Sequence, residues 1–357
     1  MATGNVALND TNAGYSGANL NEIFYEPVFR SDDIMRNYRV IPNVKHVMNV
    51  YTSAKLTKIV KAQTACSPLS QDPVAYFPVD QKVITAGRCR VALEQCSEEF
   101  YGTFIEESYR NGVDVNNLLG TDLADAIVNR AVAGIASDVL RLAWGGNLTL
   151  DGVATPAVGY AVFDGWMKLM GADTTVLAAR TELDVVAPAE PTAGEAINLL
   201  RTMYDAAPAA LQQIPAGDKK MFVTPRIFNA YLANLEANTT IGTADLAISN
   251  TVNGMARVSF RGVEVVAMYE WDTILADADP VLFQTTKAGA DTENTQGACY
   301  CATENLIIGS DVTDPEGSFK VFYDDLEEKM FFRGYFKLGV QFLYPSLVQW
   351  GVLADIV

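Results

Sequence analysis

The sequence predicts an α+β fold in which extended β segments are organised around one unusually long helix. Three stretches carry that prediction: an uninterrupted amphipathic run at 121–144, a strand-patterned run at 44–93, and a long alternating strand beginning at Met330. In the first, Leu123, Ile127, Ala131, Ile135, Val139 and Leu142 recur at spacings of four and three, which stacks them in one stripe along a helix. Thr121 is placed to cap its start, Asp122 and Asp125 suit the positive end of the helix dipole, and Arg141 suits the negative end. Gly145-Gly146-Asn147 predicts a left-handed stop. At 1.5 Å per residue the rod is roughly 35 Å long, against a mean helix of about 11–12 residues. Such a rod suits the core of an ordinary enzyme or the backbone of an elongated, flat subunit. The flanking stretches decide between these.

Residues 1–22 are rich in Asn, Gly, Ala and Thr and carry too little apolar content to fold by themselves. Phe24, Tyr25, Val28 and Phe29 follow, then Ile34, Met35 and Tyr38. A polar leader with an aromatic anchor at Phe24, Tyr25 and Phe29 reads as an extended arm that needs a surface to lie on, or as a disordered terminus.

From Val44 to Leu93 the pattern is strand. Leu56–Lys61 runs extended, Pro68, Pro73 and Pro78 forbid helix around the apex, and Gln81–Thr85 with the alternating Arg88–Leu93 form the return leg. The hairpin is long and its apolar content too thin to make a core, so it needs a neighbour. Its charge indicates which kind. Lys45, Lys55, Lys58, Lys61, Lys82, Arg88 and Arg90 face only Asp72 and Asp80 here, in a chain whose net charge is −17. A positive ribbon on a negative body is complementary between copies.

Ser97–Arg110 is a shorter amphipathic helix with Phe100, Phe104, Ile105 and Tyr109 inward. After the rod, Leu148–Val158 reads as a hairpin through Asp151-Gly152, 163–170 as a short helix, and 183–191 as a proline-punctuated crossing between lobes. Thr192–Leu211 is helical, with Ala196, Leu199, Leu200, Met203 and Tyr204 inward; 220–224 is a buried strand, and Pro225 opens the next helix at its first turn. Strands at 255–260 and 262–268 turn at Arg261-Gly262, and 298–303 and 305–309 are further strands of a compact mixed lobe. At the end, Phe319, Val321 and Tyr323 alternate with polar partners, and Met330–Tyr344 returns with Phe332, Phe336, Leu338, Val340 and Phe342 on one face and Arg333, Lys337 and Gln341 on the other. Leu347–Val357 reads as an apolar tail. Between Glu304 and Glu328 eight acids, among them Asp311, Asp314, Glu316, Asp324 and Asp325, stand against Lys320 alone, which makes this the expected acceptor for the basic hairpin.

Composition excludes several functions. A chain of 357 residues with 49% hydrophobic content buries a sizeable core, and its net negative charge repels nucleic-acid phosphates. No basic, apolar leader marks a signal peptide and no apolar run is long enough to span a membrane. The five cysteines are an odd set without Cys-x-x-Cys spacing, which favours buried reduced thiols over disulfides or zinc. One histidine, His46, precludes the His-Glu-x-x-His metal site and leaves no nucleophile elbow beside it; neither dinucleotide nor P-loop glycine patterns occur. Asp311, Asp314 and Glu316 lack the order of a calcium loop. No catalytic, cofactor or metal residues are expected.

The order of parts resembles the major capsid protein of tailed bacteriophages, the Hong Kong 97-like fold. Segments such as 225–232, 262–268 and 304–311 are similar to phrases of that family. The resemblance implies an N-terminal arm at 1–43, an extended loop (E-loop) at 44–93, a peripheral domain with the spine helix at 94–191, an axial domain at 192–310, and closing peripheral strands with the C-terminal tail at 311–357. It implies no enzymatic activity and no cofactor. It implies a homo-oligomer of pentamers and hexamers that forms the icosahedral head of a virion, assembled in the bacterial cytoplasm and enclosing double-stranded DNA without sequence-specific binding. Scaffolding, portal and decoration proteins are the implied partners. Since Met1 begins almost at the arm, scaffolding is expected from a separate protein or not at all. An encapsulin-like shell of the same fold and a motif-poor cytosolic α/β enzyme are the alternatives.

Overall fold

A computed structural model of the chain describes residues 37–53, 79–96, 122–150, 159–237, 249–252, 255–277, 296–311, 319–324 and 329–355. The expected arm anchor Phe24, Tyr25 and Phe29, the hairpin apex with Lys55, Lys58 and Lys61, the helix at 97–110, the turn at Asp151-Gly152, and Asp314, Glu316 and Asp325 lie outside the described residues.

The chain order is β1 (Arg39–Ile41), β2 (Val47–Ser53), β3 (Val79–Thr85), β4 (Gly87–Cys96), α1 (Asp122–Gly145), α2 (Trp166–Ala172), α3 (Thr174–Ala178), β5 (Thr181–Val185), α4 (Ala193–Ala206), α5 (Ala209–Gln212), β6 (Lys219–Val223), α6 (Pro225–Ala237), β7 (Ser249–Val252), β8 (Met255–Phe260), β9 (Val263–Ala267), α7 (Tyr269–Ala276), β10 (Gly297–Ala302), β11 (Leu306–Ser310), β12 (Phe319–Asp324), β13 (Lys329–Phe342) and β14 (Val348–Asp355). The fold is α+β. Among the described residues there are two larger sheets and one ribbon.

The first sheet is built on the long β13. β12 pairs with its first part and β11 with its last, β4 runs antiparallel along the other edge over ten residue pairs, and β1 joins β11 in parallel. The even-numbered residues of β13, Phe332, Phe336, Leu338, Val340 and Phe342, all point into one core with Val132, Ile135, Val139, Leu142 and Trp144 of α1. The second sheet runs β5-β14-β10-β6-β9-β8-β7, with β14 parallel to β5 and β6 parallel to β9. α4 and α6 cover it through Leu199, Leu200, Met203, Ile227 and Tyr231. A capping box starts α4: Thr192 Oγ1 accepts from the Glu195 amide, and Glu195 Oε2 accepts from the Thr192 amide at 2.7 Å.

Several segments differ from the sequence reading. Arg88–Leu93 is not the return leg of the hairpin. That leg is β3, which pairs with β2, and after the single residue Ala86 the chain enters β4 of the first sheet. Ten paired residues and the burial of Cys89 against the core outweigh continuation of a two-stranded ribbon. The C-terminal run is no tail. It is β14, seated between β5 and β10, with Val348, Trp350, Val352 and Leu353 buried; a run apolar on both faces is the pattern of a sheet interior. The first third of the supposed crossing at 183–191 is therefore strand, because β5 pairs with β14. The sheets also cut across the boundary at 310/311: β11 belongs with β13, and β14 with β10.

α1 ends without a left-handed residue, since positive φ among the described residues is confined to Asn43, Arg261 and Gly262. Glycine is required there for space instead: a Cβ on Gly146 would meet the Phe163 carbonyl at 2.5 Å and the Leu142 carbonyl at 2.7 Å. The Gly165 amide donates to the Gly146 carbonyl at 2.8 Å, and a Cβ on Gly165 would meet the Gly146 amide and the Trp144 carbonyl, each at 2.7 Å. Arg141 is not in the last turn. Its Nε donates to Asp138 at 3.0 Å and its guanidinium covers the Tyr160 ring. The turn at Arg261-Gly262 forms as expected, with both residues at positive φ.

Candidate assembly surfaces

The ribbon of β2 and β3 carries four of the nine exposed large apolar side chains among the described residues. Strand alternation gives it two faces. On the inner one, Met48, Val50 and Ile84 pack with Val44, Ala86, Ile307 and Leu343. Gln341 Nε2 to Val83 O at 2.9 Å and Tyr344 Oη to Ser53 O at 3.4 Å hold the ribbon there, and Ala86 N–H to His46 O at 2.8 Å closes its base. The base of the hairpin thus rests on its own polypeptide, which the thin apolar content of the sequence did not suggest.

The outer face has no such cover. Val47 is 51% exposed, Tyr51 67%, Val79 56% and Val83 41%. These four side chains share one face, because Asn49 pairs with Val83, Tyr51 with Gln81 and Ser53 with Val79. Two adjacent strands presenting valine and tyrosine to water is a pattern of surfaces that meet another protein. The alternation of Val47, Asn49 and Tyr51 against Met48 and Val50 was present in the sequence, but which face was free depends on what β13 and β11 cover.

The expected charged residues divide between the ribbon and the first sheet. Lys82 lies on the inner face, with Nζ 3.6 Å from Asp173 Oδ2 and 4.9 Å from the centre of the Phe342 ring. Arg88 and Arg90 stand exposed on β4, opposite Lys337 and Tyr335. Of the expected acceptors, Asp311 takes a hydrogen bond from the Lys337 amide at 2.8 Å, and Asp324 is the register partner of Lys329. Asp311 is thus engaged within its own sheet.

The segment that leads into β1 is fixed by Tyr38. Its ring stacks on Trp166 at 4.9 Å and Phe222 at 5.5 Å; its hydroxyl accepts from Trp144 Nε1 at 3.1 Å and donates to Met268 Sδ at 3.7 Å. Burial pushes the Tyr38 hydroxyl well above its ordinary pKa, so it stays protonated. The thiols are similarly silenced. Burial, then the Asp311 charge, raises Cys89 to about 12, and Cys301 is held high by its hydrogen bond with Cys299 and by burial. Such groups are poor nucleophiles at neutral pH. Among the described residues no group of three or more His, Cys, Asp or Glu is placed to hold a metal ion, and no helix is long and apolar enough to cross a membrane.

The architecture is the Hong Kong 97-like capsid fold. The chain superposes on a chain of the satellite phage P4 procapsid with a TM-score of 0.58 at 10% identity, over 97% of this chain and 94% of that one. It is also similar to a chain of the bacteriophage PhiM1 mature capsid (TM-score 0.49, 12% identity, 90% and 86% covered) and to one of the cyanophage P-SCSP1u capsid (0.48, 12%, 100% and 93%). No protein-family profile and no curated protein sequence matches the chain.

Proposed function

We propose that this chain is the major capsid protein of a tailed-bacteriophage head, a structural protein that assembles with many copies of itself into pentamers and hexamers around double-stranded DNA. The observation that carries the reading is the outer face of the β2–β3 ribbon, where Val47, Tyr51, Val79 and Val83 lie open to water on a fold shared with capsid subunits. In this reading the ribbon is the base of the extended loop and lies across an adjacent subunit, with the positive charge of Lys55, Lys58 and Lys61 setting its register. The first sheet with α1 is the peripheral domain, and the second sheet with α4 and α6 is the axial domain. Phe24, Tyr25 and Phe29 strap a further copy. Acids such as Asp314, Glu316 and Asp325 receive positive charge from a neighbour, and the acidity of the chain keeps packaged DNA from adhering to the wall. A portal protein, and scaffolding where assembly uses it, are the partners that fit this role.

Individual charge pairs at such a rim contribute about 0–1 kcal/mol, so buried apolar area supplies most of the stability and charge supplies register. Sedimentation velocity with negative-stain microscopy of the purified protein tests the proposal. Megadalton closed particles are the expected result, and a monomer or small oligomer at every concentration would overturn it.

A further inference from the structure

The first sheet has a second face, turned away from α1, and its composition is at odds with an acidic protein. Residues 331, 333, 335 and 337 of β13 pair with 94, 92, 90 and 88 of β4, so Arg333, Tyr335, Lys337, Arg88 and Arg90 share this face. Arg88 is directly opposite Lys337, and Lys320 of β12 holds the register position beside Arg333. Residues two apart along a strand are about 7 Å apart, and opposite residues about 5 Å. Cations therefore crowd a patch about 14 Å long with Tyr335, 55% exposed, at its centre.

Among the described residues, carboxylate compensation is confined to the two ends. Lys329 pairs with Glu94 at 3.5 Å at one end, and Lys337 reaches Asp311 at 4.0 Å at the other. Arg333 lies over the Phe322 and Phe331 rings, 5.4 and 5.1 Å from their centres, and has no carboxylate within salt-bridge distance among the described residues; nor has Arg88 or Arg90. Like charges facing each other across a sheet are destabilising. Lys337 is offset by Asp311 and by the Lys45 carbonyl, 2.6 Å from its Nζ, so Arg88, Arg90 and Arg333 carry the charge that an anionic partner would meet.

We infer that this Arg88–Arg90–Arg333–Lys337 face is a docking surface for an acidic surface of a second copy of the chain. The inference rests on the shell reading above, and it moves the main basic contact from the ribbon to the body of the subunit. Two observations select the occupant. Arginine around an exposed tyrosine is the composition of protein–protein contact centres. And a chain of net charge −17 carries an excess of acids outside this basic face, so each copy carries both halves of the contact.

The test compares the wild-type protein with two triple variants, Arg88→Gln/Arg90→Gln/Arg333→Gln and the corresponding Glu set, in sedimentation assays from 50 mM to 500 mM NaCl. All three side chains are exposed, so thermal melting should show folded subunits in each case. The concentration for half-assembly should rise at least tenfold in the Gln variant, with a weaker salt dependence, and the Glu variant should not assemble. Assembly of both variants at the wild-type concentration would overturn the inference while leaving the shell reading intact. Failure of the wild type itself to assemble would overturn both. Normal assembly of the variants with loss of a wild-type gel shift on duplex DNA would assign the face to nucleic acid and also overturn it. A second measurement is independent of lost assembly. The conservative Arg90→Lys variant, as a mixture of 14N- and 15N-labelled protein, is treated with a carboxyl-to-amine zero-length crosslinker. Crosslinks from position 90 to an Asp or Glu of the other isotope are expected, and crosslinks confined to one isotope would contradict the contact.

Discussion

Replacing the four outward side chains of the ribbon should separate folding from assembly. The variant is Val47→Thr, Tyr51→Ser, Val79→Thr and Val83→Thr. Threonine retains the strand preference of valine, and all four positions face water in the isolated chain, so each should change subunit stability by no more than about 0.5 kcal/mol. Full burial of a side chain of this size is worth about 1.5–3 kcal/mol. The valines withhold about half of their surface and Tyr51 two-thirds, which leaves about 4 kcal/mol per ribbon to be gained against a neighbour. That figure is an upper bound, since ordering the ribbon tip and fixing two subunits opposes it. It corresponds to about a thousandfold in the association constant per contact. Light scattering against protein concentration reads the shift, and thermal melting reads the subunit. A variant that assembles at the wild-type concentration would refute the reasoning, as would one that melts far below the wild type.

Other consequences concern the subunit itself. Tyr38→Phe keeps the stacking on Trp166 and Phe222 but leaves the buried Trp144 indole N–H without its acceptor, so unfolding in urea should show a loss of about 1–3 kcal/mol. Gly165→Ala places a methyl group 2.7–2.9 Å from three backbone atoms at the end of α1 and should cost about 1–3 kcal/mol, read by the same assay. Cys89, Cys299 and Cys301 are buried, so no more than two of the five thiols should react with a disulfide reagent at pH 8 before unfolding, and all five after it. Cys89, Tyr160 and Tyr300 each have a folded pKa raised to about 12, so their stabilisation is complete below the unfolded values near 9–10 and is lost as pH rises towards 12. Urea midpoints at pH 8, 9.5 and 11 should fall in that order.

Local patterns made much of this fold readable. The 3.6-residue period of 121–144, the alternation of Phe332 to Phe342, Pro225 at a helix start and Arg261-Gly262 at a turn each depend on neighbours a few residues away. They reappear in α1, β13, α6 and the β8–β9 turn. What was not readable was partnership between distant strands. Cys89, Val91 and Leu93 alternate in a way that suits a ribbon or a sheet, and only β13, some 240 residues later, decides for the sheet. Val348–Asp355 resembles a sticky tail until β5 and β10 are placed on either side of it. The surfaces followed the same rule. Arg88 and Arg90 were visible as basic residues, but Arg333, Tyr335 and Lys337 join them only through the register of β4 on β13. Charge counted along a segment cannot place Lys82 inward beside Asp173, because strand parity sets that.

Hydroxyl-radical footprinting of Tyr51 in dissociated and assembled protein examines most directly whether the ribbon's open face is a contact between copies. With 67% of its surface exposed in the subunit, Tyr51 should be oxidised readily in the dissociated protein and strongly protected in particles, together with Val47, Val79 and Val83. Equal oxidation of Tyr51 in the two states would contradict the account.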